Sequence, residues 1–297
     1  MNTKTHTVWL FCRVIDNFGD IGVSWRLAKQ LQQEQHLQVV LWVDDVQALR
    51  ALLPEVDVHA TQACYEGIAV LQWKDALVAD LLLSAPAADV VIETFACDVP
   101  EAVRQWMVGK PMLWLNLEYL TAEAWADDVH LLPSLQSNGV KKYFFCPGFS
   151  DKTGGVSYEL GLLSQERPVN QEKQQQLRQQ YGLPAIADSV HVYVFGYDDA
   201  MWLKWLRMWM RGDKKTVVWL AQGSLLVDLQ RQFPELQALQ QVGDCVSVQQ
   251  LIVCLVPFVA QSEFDQVLQA ADVSVVRGED SVLRALWQGR VFWWQIY

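Results

Sequence analysis

The sequence lacks any apolar run of about 18 residues, the length that a helix needs to cross a bilayer, so no membrane span is predicted. It also lacks a signal-peptide pattern, because its first residues lead straight into a strand-like run, and we expect a cytoplasmic protein. Positive charge is scarce. The 34 acidic and 23 basic residues give a net charge of −11, which argues against nucleic acid as a direct partner.

Patterns that bind metal are missing as well. The five histidines are scattered, and none of the six cysteines forms a Cys-x-x-Cys pair, so no zinc site is predicted. The cysteines are Cys12, Cys64, Cys97, Cys146, Cys245 and Cys254, and most lie in apolar runs. We expect them to be buried free thiols in a reducing compartment.

Short apolar segments alternate with helical patterns in both halves of the chain. Strands are predicted over 6–15, 38–44, 66–73, 88–95, 111–117, 140–146, 190–196, 215–221, 248–256, 272–277 and 290–296. Helices are predicted over 23–33, 45–53, 74–84, 99–108, 171–181, 199–210, 262–270 and 281–287. Such alternation implies right-handed crossovers and mostly parallel sheets.

We therefore predict an α/β fold of two Rossmann-like domains that face each other across a cleft. A Pro- and Gly-containing break at 147–155 marks the change from one domain to the next. The predicted divisions are an N-terminal domain over 1–155, a linker over 156–184 and a C-terminal domain over 185–297.

The most informative segment is the turn Arg277-Gly278-Glu279-Asp280-Ser281, which lies between an apolar run and a helical pattern. In open α/β sheets, ligands bind beyond the carboxyl ends of the strands. A helix that starts there offers unpaired N–H groups and the positive end of its dipole, which suit phosphate. We predict that this turn neutralises a leaving diphosphate.

A second strand-to-helix junction comes early, at Asp16-Asn17-Phe18-Gly19-Asp20. This turn can aim both carboxylates into one cleft, as a group transferase requires. The alternative is that Asp20 only caps the following helix and that Asp16 only ends a strand. The glycines match a dinucleotide-binding fingerprint only in part. No Walker loop or Asp-x-Asp triplet occurs in the chain, which weakens metal-assisted diphosphate chemistry.

Aromatic residues lie at the ends of two predicted strands in the second half. Phe195 and Tyr197 follow one strand, and Phe258 follows Pro257, which does not easily continue a central strand. Gln261 lies just beyond, in the same segment. The rings can stack on a nucleobase. The alternative is that both phenylalanines belong to the core.

Five blocks of sequence, at 11–22, 114–120, 142–149, 153–155 and 277–281, together resemble the elongation factor P maturation arginine rhamnosyltransferases. They occur in the family's order and span nearly the whole chain. The resemblance implies a GT-B fold and inverting transfer of L-rhamnose from dTDP-β-L-rhamnose. The acceptor that it implies is one arginine of elongation factor P, in the bacterial cytoplasm, and no metal or other cofactor is expected.

The resemblance also implies roles for individual residues. Asp16 and Asp20 match the catalytic carboxylates, and Asn17, Phe18 and Gly19 lie near the acceptor and the sugar. Phe195 and Phe258 match the base-stacking aromatics. The remaining residues of the nucleotide-sugar site are Tyr197, Gln261, Arg277, Gly278, Glu279, Asp280 and Ser281. We expect Asp20 to be the base and Asp16 to orient the substrate, with the reverse assignment left open.

The chain departs from the family near its end. Family members continue past the matching tryptophan-rich strand, whereas this sequence stops at Tyr297, so we expect an incomplete second domain and weak transferase activity. Eight residues after Glu279 stands Trp287, where related folds repeat a glutamate. One alternative function is a non-catalytic remnant that binds a nucleotide sugar or a protein. Another is a dinucleotide-dependent enzyme, which the absent glycine fingerprint opposes.

Overall fold

The computed structural model describes residues 5–15, 18–74, 76–160, 170–198 and 201–295. The chain divides into two compact units at residue 162. Each unit has its own sheet, and helices connect its parallel strands. The predicted α/β fold with two Rossmann-like domains is confirmed.

The first unit contains eight strands among its described residues. They are β1 Thr7–Cys12, β2 Gln38–Val43, β3 Gln62–Tyr65, β4 Ile68–Gln72, β5 Val90–Thr94, β6 Leu113–Leu117, β7 Pro133–Leu135 and β8 Lys141–Phe145. The helices are α1 Gly19–Gln33, α2 Val46–Leu52, α3 Val78–Ser84, α4 Glu101–Met107 and α5 Trp125–Val129. The strand order is β3-β4-β2-β1-β5-β6-β8-β7, and all pairs are parallel except β3 with β4 and β7 with β8.

The central strands of this sheet are apolar on both faces because helices cover both faces. All six residues of β1 are buried. On one face, Ile21 and Trp25 of α1 pack into the core cluster of β1 and β2. On the other face, the ring of Phe11 stacks on that of Trp42, with centroids 5.1 Å apart.

The second unit repeats much of this arrangement. Its strands are β9 Ser189–Val194, β10 Lys215–Ala221, β11 Cys245–Val248, β12 Leu251–Val256, β13 Val273–Arg277 and β14 Val291–Gln295. Its helices are α6 Gln171–Gln180, α7 Met201–Met210, α8 Ser224–Gln232, a 3₁₀ helix Pro234–Ala238, α9 Phe264–Ala270 and α10 Gly278–Gln288. The order β11-β12-β10-β9-β13-β14 is parallel except for the edge pair β11 and β12.

The sequence patterns miss the antiparallel edge strands. The predicted strand 248–256 joins the last residue of β11 to β12, whereas in the structure Gln249, which has a left-handed backbone (φ 57°), reverses the chain between these two strands. The predicted strand 66–73 is β4 alone, and β3 precedes it across a tight turn with positive φ at Glu66 and Gly67. Strand β7 and helices α5 and α8 are also absent from the prediction, since each is short or interrupted by polar residues.

The expectation of six buried free thiols is wrong for three cysteines. Cys245 and Cys254 form a disulfide, because the antiparallel register of β11 and β12 places them directly opposite each other. Cys64 is exposed. The free thiols of Cys12, Cys97 and Cys146 are buried as expected, and burial raises the pKa of Cys12 to about 12, which keeps it protonated and unreactive.

The described parts of the predicted linker 156–184 pack on the units. Glu159 pairs with Arg26 of α1 at 2.7 Å. In the second unit, α6 packs on α9, and Arg178 donates to the carbonyl of Ala270 at 2.8 Å. Within the described ranges, no helix combines the length and apolar character that a bilayer crossing requires.

The buried His191 makes the second unit sensitive to acid. Its side chain on β9 is 2% exposed, and its Nδ1 accepts a hydrogen bond from the Trp219 indole at 3.0 Å. Burial, together with the nearby Arg178 guanidinium, lowers the pKa of His191 to about 4. Between that value and the ordinary histidine pKa of about 6.5, the unfolded state binds more protons than the folded state, so stability falls with falling pH.

We expect His191→Gln to remove this part of the pH dependence, because a glutamine oxygen still accepts from Trp219 without taking up a proton. In the wild type, His191 should lower the free energy of unfolding by at most about 3 kcal/mol as the pH falls from about 7 to about 4. Chemical denaturation across this range measures the difference. His59→Gln, at an exposed histidine, is the control and should keep the wild-type profile. An unchanged profile in His191→Gln would contradict the assignment.

Candidate functional site

The strand connections of the first unit reverse direction between β1 and β5. From β1 the chain proceeds to β2 and β4 on one side, and β5, β6 and β8 follow on the other. Ligands of open α/β sheets bind outside the carboxyl ends of the strands at such a switch point. The side chains that follow Cys12 and Thr94 therefore line the place where a site is expected.

Asp20 lies at this switch point, in the first turn of α1. Its side chain is 1% exposed, and its carboxylate accepts hydrogen bonds from the N–H of Ile15 at 2.8 Å and from the hydroxyl of Tyr119 at 2.9 Å. The helix begins at Gly19, and Phe18 occupies the cap position without a side-chain capping bond. Asp20 is therefore inside the helix, and the alternative that it is only the cap is wrong.

The residues that directly precede Asp20 are also predicted to belong to the site. Asp16 and Asn17 lie outside the described residues. Phe18 is half-buried and packs against the core of the first unit. Gly19 is the first residue of α1.

An aromatic pair lies beside Asp20 and was not predicted from the sequence. Tyr119 follows β6, and its ring stacks on Phe95, with centroids 4.1 Å apart and planes 3° from parallel. Phe95 and Ala96 both have left-handed backbones, at φ 56° and 50°. The buried Asn116 holds this turn by accepting from the N–H of Ala96 at 2.9 Å. Tyr119 belongs to a block that supports the family resemblance, which is the signal that could have identified it.

Two more carboxylates lie at the ends of β5 and β6. Glu93 is 2% exposed and pairs with Lys142 of β8 at 3.2 Å. Glu118 accepts a hydrogen bond from the side-chain amide of Asn116 at 2.5 Å. Burial raises the pKa of Glu118, and Asn116 and Lys142 oppose this effect. The first unit thus gathers several carboxylates at one edge of its sheet.

In the second unit, the connections reverse between β9 and β13. Phe195 follows β9, and its N–H donates to the carbonyl of Val275 on β13 at 2.8 Å. Arg277 ends β13, and its guanidinium carbon lies 5.0 Å from the ring centre of Phe195 and 4.4 Å from that of Tyr197. Cation–π contact of this kind holds the guanidinium at the switch point.

Phe258 and Phe195 differ in their surroundings. Phe258 is 38% exposed, so the alternative that it belongs to the core is wrong. Its ring centroid lies 6.2 Å from that of Phe195. Phe195 is half-buried and also contacts Phe264, whose ring centroid is 5.7 Å away. Phe195 thus connects the core to an exposed ring at the carboxyl edge.

The turn 277–281 opens α10. Gly278 is its first residue and has φ 67°, a conformation that favours glycine. The hydroxyl of Ser281 donates to the carbonyl of Arg277. Asp280 accepts from the side-chain amide of Gln261 at 3.3 Å. Glu279 and Asp280 put negative charge in the first turn of α10, directly after the positively charged Arg277.

The described site residues therefore form two sets, one at the switch point of each unit. In the described ranges, no group of three or more His, Cys, Asp or Glu side chains could hold a metal ion. Two Rossmann-like units with these edges define a GT-B-like glycosyltransferase fold.

Comparison with known proteins identifies the family. The model for "Elongation-Factor P (EF-P) rhamnosyltransferase EarP" matches residues 8–297, and the chain belongs to this family. It is 44% identical over 301 residues to a protein-arginine rhamnosyltransferase of Neisseria meningitidis serogroup B / serotype 15 (strain H44/76), covering 100% of this chain and 75% of the relative. It is 40% identical over 292 residues to a protein of the same name from Pseudomonas putida KT2440, covering 97% and 76%.

A solved structure agrees with this assignment. It is described as the structural basis for EarP-mediated arginine glycosylation of translation elongation factor EF-P. It superimposes with a TM-score of 0.62 at 28% identity, over 99% of this chain and 74% of that one. The predicted family resemblance is confirmed, and the chain spans about three-quarters of the length of these relatives.

The buried pair of Glu93 and Lys142 provides a stability test of this edge. Lys142→Met leaves a buried carboxylate without its counter-charge, which should lower the free energy of unfolding by about 3–5 kcal/mol. Adding Glu93→Gln to that variant should recover most of the loss. Lys141→Met changes an exposed neighbour and should stay within about 0.5 kcal/mol of the wild type. Urea unfolding measures all three, and equal stability of Lys142→Met and Lys141→Met would show that the pair contributes little.

Proposed function

We propose that this protein transfers L-rhamnose from dTDP-β-L-rhamnose to an arginine side chain of elongation factor P. Membership of the EarP family supports the reaction. The observation that carries the proposal is the buried carboxylate of Asp20, which accepts hydrogen bonds from Ile15 and Tyr119 at the switch point of the first unit. Since the acceptor is a translation factor, the reaction takes place in the cytoplasm.

A guanidinium needs such a carboxylate because it is a poor nucleophile. It is planar, delocalised and protonated at all ordinary pH values. A carboxylate orients it through charge-assisted hydrogen bonds. As the bond from nitrogen to the sugar forms, the bond from the sugar to the diphosphate breaks, and the diphosphate leaves with the electron pair. The proton lost by the guanidinium passes to Asp20 as general base. One displacement of this kind inverts the sugar carbon.

The second unit supplies the donor site in this proposal. Phe195 and Phe258 offer ring faces on which the thymine base stacks. Tyr197 contacts Arg277, and Gln261 donates to Asp280, so we include both in the proposed site. Arg277 supplies the positive charge that neutralises the leaving diphosphate, and the glycine at 278 lets the backbone approach it. We propose that the guanidinium of Arg277 takes the part that a metal ion plays in other diphosphate sites, and hence that the reaction is metal-independent.

Nucleotide binding tests the donor site. Phe258→Ala should weaken dTDP binding by about 1–3 kcal/mol, the usual contribution of one aromatic residue stacked on a base. Isothermal titration calorimetry measures the dissociation constant. Phe149→Ala removes an exposed phenylalanine of the first unit and serves as the control, with wild-type affinity expected. An unchanged dissociation constant in folded Phe258→Ala would remove this residue from the site.

Turnover tests the base. Asp20→Asn keeps the side-chain shape but removes the charge, so the rate of deoxyhexose addition to elongation factor P should fall by at least about 100-fold. The affinity for dTDP-rhamnose should stay close to that of the wild type. Asp80→Asn, at an exposed carboxylate in the first turn of α3, is the matched control. Mass spectrometry of elongation factor P measures the product.

The same assay decides the alternative function. A wild-type protein that binds dTDP and adds no sugar to elongation factor P would be a non-catalytic nucleotide-binding protein. Normal turnover by Asp20→Asn would instead keep the reaction and move the base to another residue.

A further inference from the structure

The Tyr119 hydroxyl and the Ile15 N–H approach different oxygens of the Asp20 carboxylate. Ile15 donates to Oδ2 at 2.8 Å, and Tyr119 donates to Oδ1 at 2.9 Å. A donor on each oxygen fixes the plane of a carboxylate as well as its position, and hydrogen bonds to a charged acceptor are stronger than neutral ones. The orientation of Asp20 therefore depends on where the Tyr119 ring lies.

The position of that ring is set by Phe95. The two rings are almost parallel, 3° apart, with centroids at 4.1 Å. Phe95 is buried, whereas Tyr119 is 37% exposed. Tyr119 is thus supported by a buried ring although part of its own side chain reaches solvent, so Phe95 can fix the hydroxyl beside the buried Asp20.

The backbone under Phe95 is unusual. Phe95, Ala96 and Asp98 all have positive φ, between 50° and 57°, which few residues other than glycine adopt. Such strained conformations persist where the surrounding structure enforces them, and they cluster at functional sites. Here the enforcing contacts are known. The N–H of Phe95 donates to the carbonyl of Leu117 at 2.7 Å, and the N–H of Ala96 donates to the buried Asn116 side chain at 2.9 Å.

We infer that Tyr119 is a positioning residue that holds the Asp20 carboxylate in the orientation required to accept the guanidinium proton, and that Phe95 is the platform that fixes Tyr119. The strained turn after β5 places the platform, the platform places the ring, and the hydroxyl places the carboxylate. This inference rests on the proposed function and adds to it a residue that does not itself take part in proton transfer.

The experiment separates the hydroxyl from the ring. Tyr119→Phe keeps the stack on Phe95 and loses only the hydroxyl, and Tyr119→Leu loses both. We expect Tyr119→Phe to lower kcat about tenfold or more. This factor corresponds to the lower end of the energies of hydrogen bonds to charged groups, which we take because Tyr119 is partly exposed. Its KM for dTDP-rhamnose and its melting temperature should match those of the wild type. Tyr119→Leu should be at least as impaired.

Tyr143→Phe removes a hydroxyl from β8 and is the matched control, with wild-type kcat expected. A Tyr119→Phe enzyme with wild-type kcat would overturn the inference, because ring packing alone would then explain the stack. A rise in KM with kcat unchanged would also overturn it, since the hydroxyl would then act in substrate binding. If the wild type itself adds no sugar to elongation factor P, the proposed function fails, and this inference fails with it.

Discussion

One constraint governs both units. The strand that comes first in the sequence of each sheet lies between two parallel neighbours, and from these neighbours the chain continues toward opposite sides of the sheet. β1 lies between β2 and β5, and β9 lies between β10 and β13. Helices and loops therefore diverge at the carboxyl ends of these strands and leave an edge that the core does not fill. Asp20 lies at that edge in the first unit, and Arg277 lies there in the second. Trp9 and Val275 are buried in β1 and β13, the strands that border these two edges. The proposed chemistry depends on the edges that this connectivity leaves open.

The two edges carry different chemistry on the same framework. The first unit gathers carboxylates, which suit a cationic acceptor. The second gathers aromatic rings and the Arg277 guanidinium, which suit a nucleobase and its phosphates. The second edge is not simply positive, because Glu279 and Asp280 stand at the start of α10. The contact of Arg277 with Phe195 and Tyr197 keeps a cation at this point, and it is the electrostatic basis of the proposed donor site.

The sequence predicted what depends on local pattern. Alternation of apolar runs and helical periodicity located most strands, and turns at strand ends located Phe258 and Arg277. Features that depend on register were not predictable. The Cys245–Cys254 disulfide requires the turn at Gln249. No residue type in that segment predicts this turn. The stack of Tyr119 on Phe95 requires parallel pairing of β5 with β6 and a left-handed backbone at a phenylalanine, which sequence reasoning expects only at glycine.

The central claim is that the nucleotide occupies the carboxyl edge of the second sheet, and hydrogen–deuterium exchange with and without dTDP tests it most directly. The account predicts slower exchange in segments 195–198, 257–261 and 277–281 when dTDP is bound. It also predicts no change at the opposite edge, in segments 213–215 and 249–251, where β10 and β12 begin. Protection at the opposite edge, or protection confined to the first unit, would contradict it.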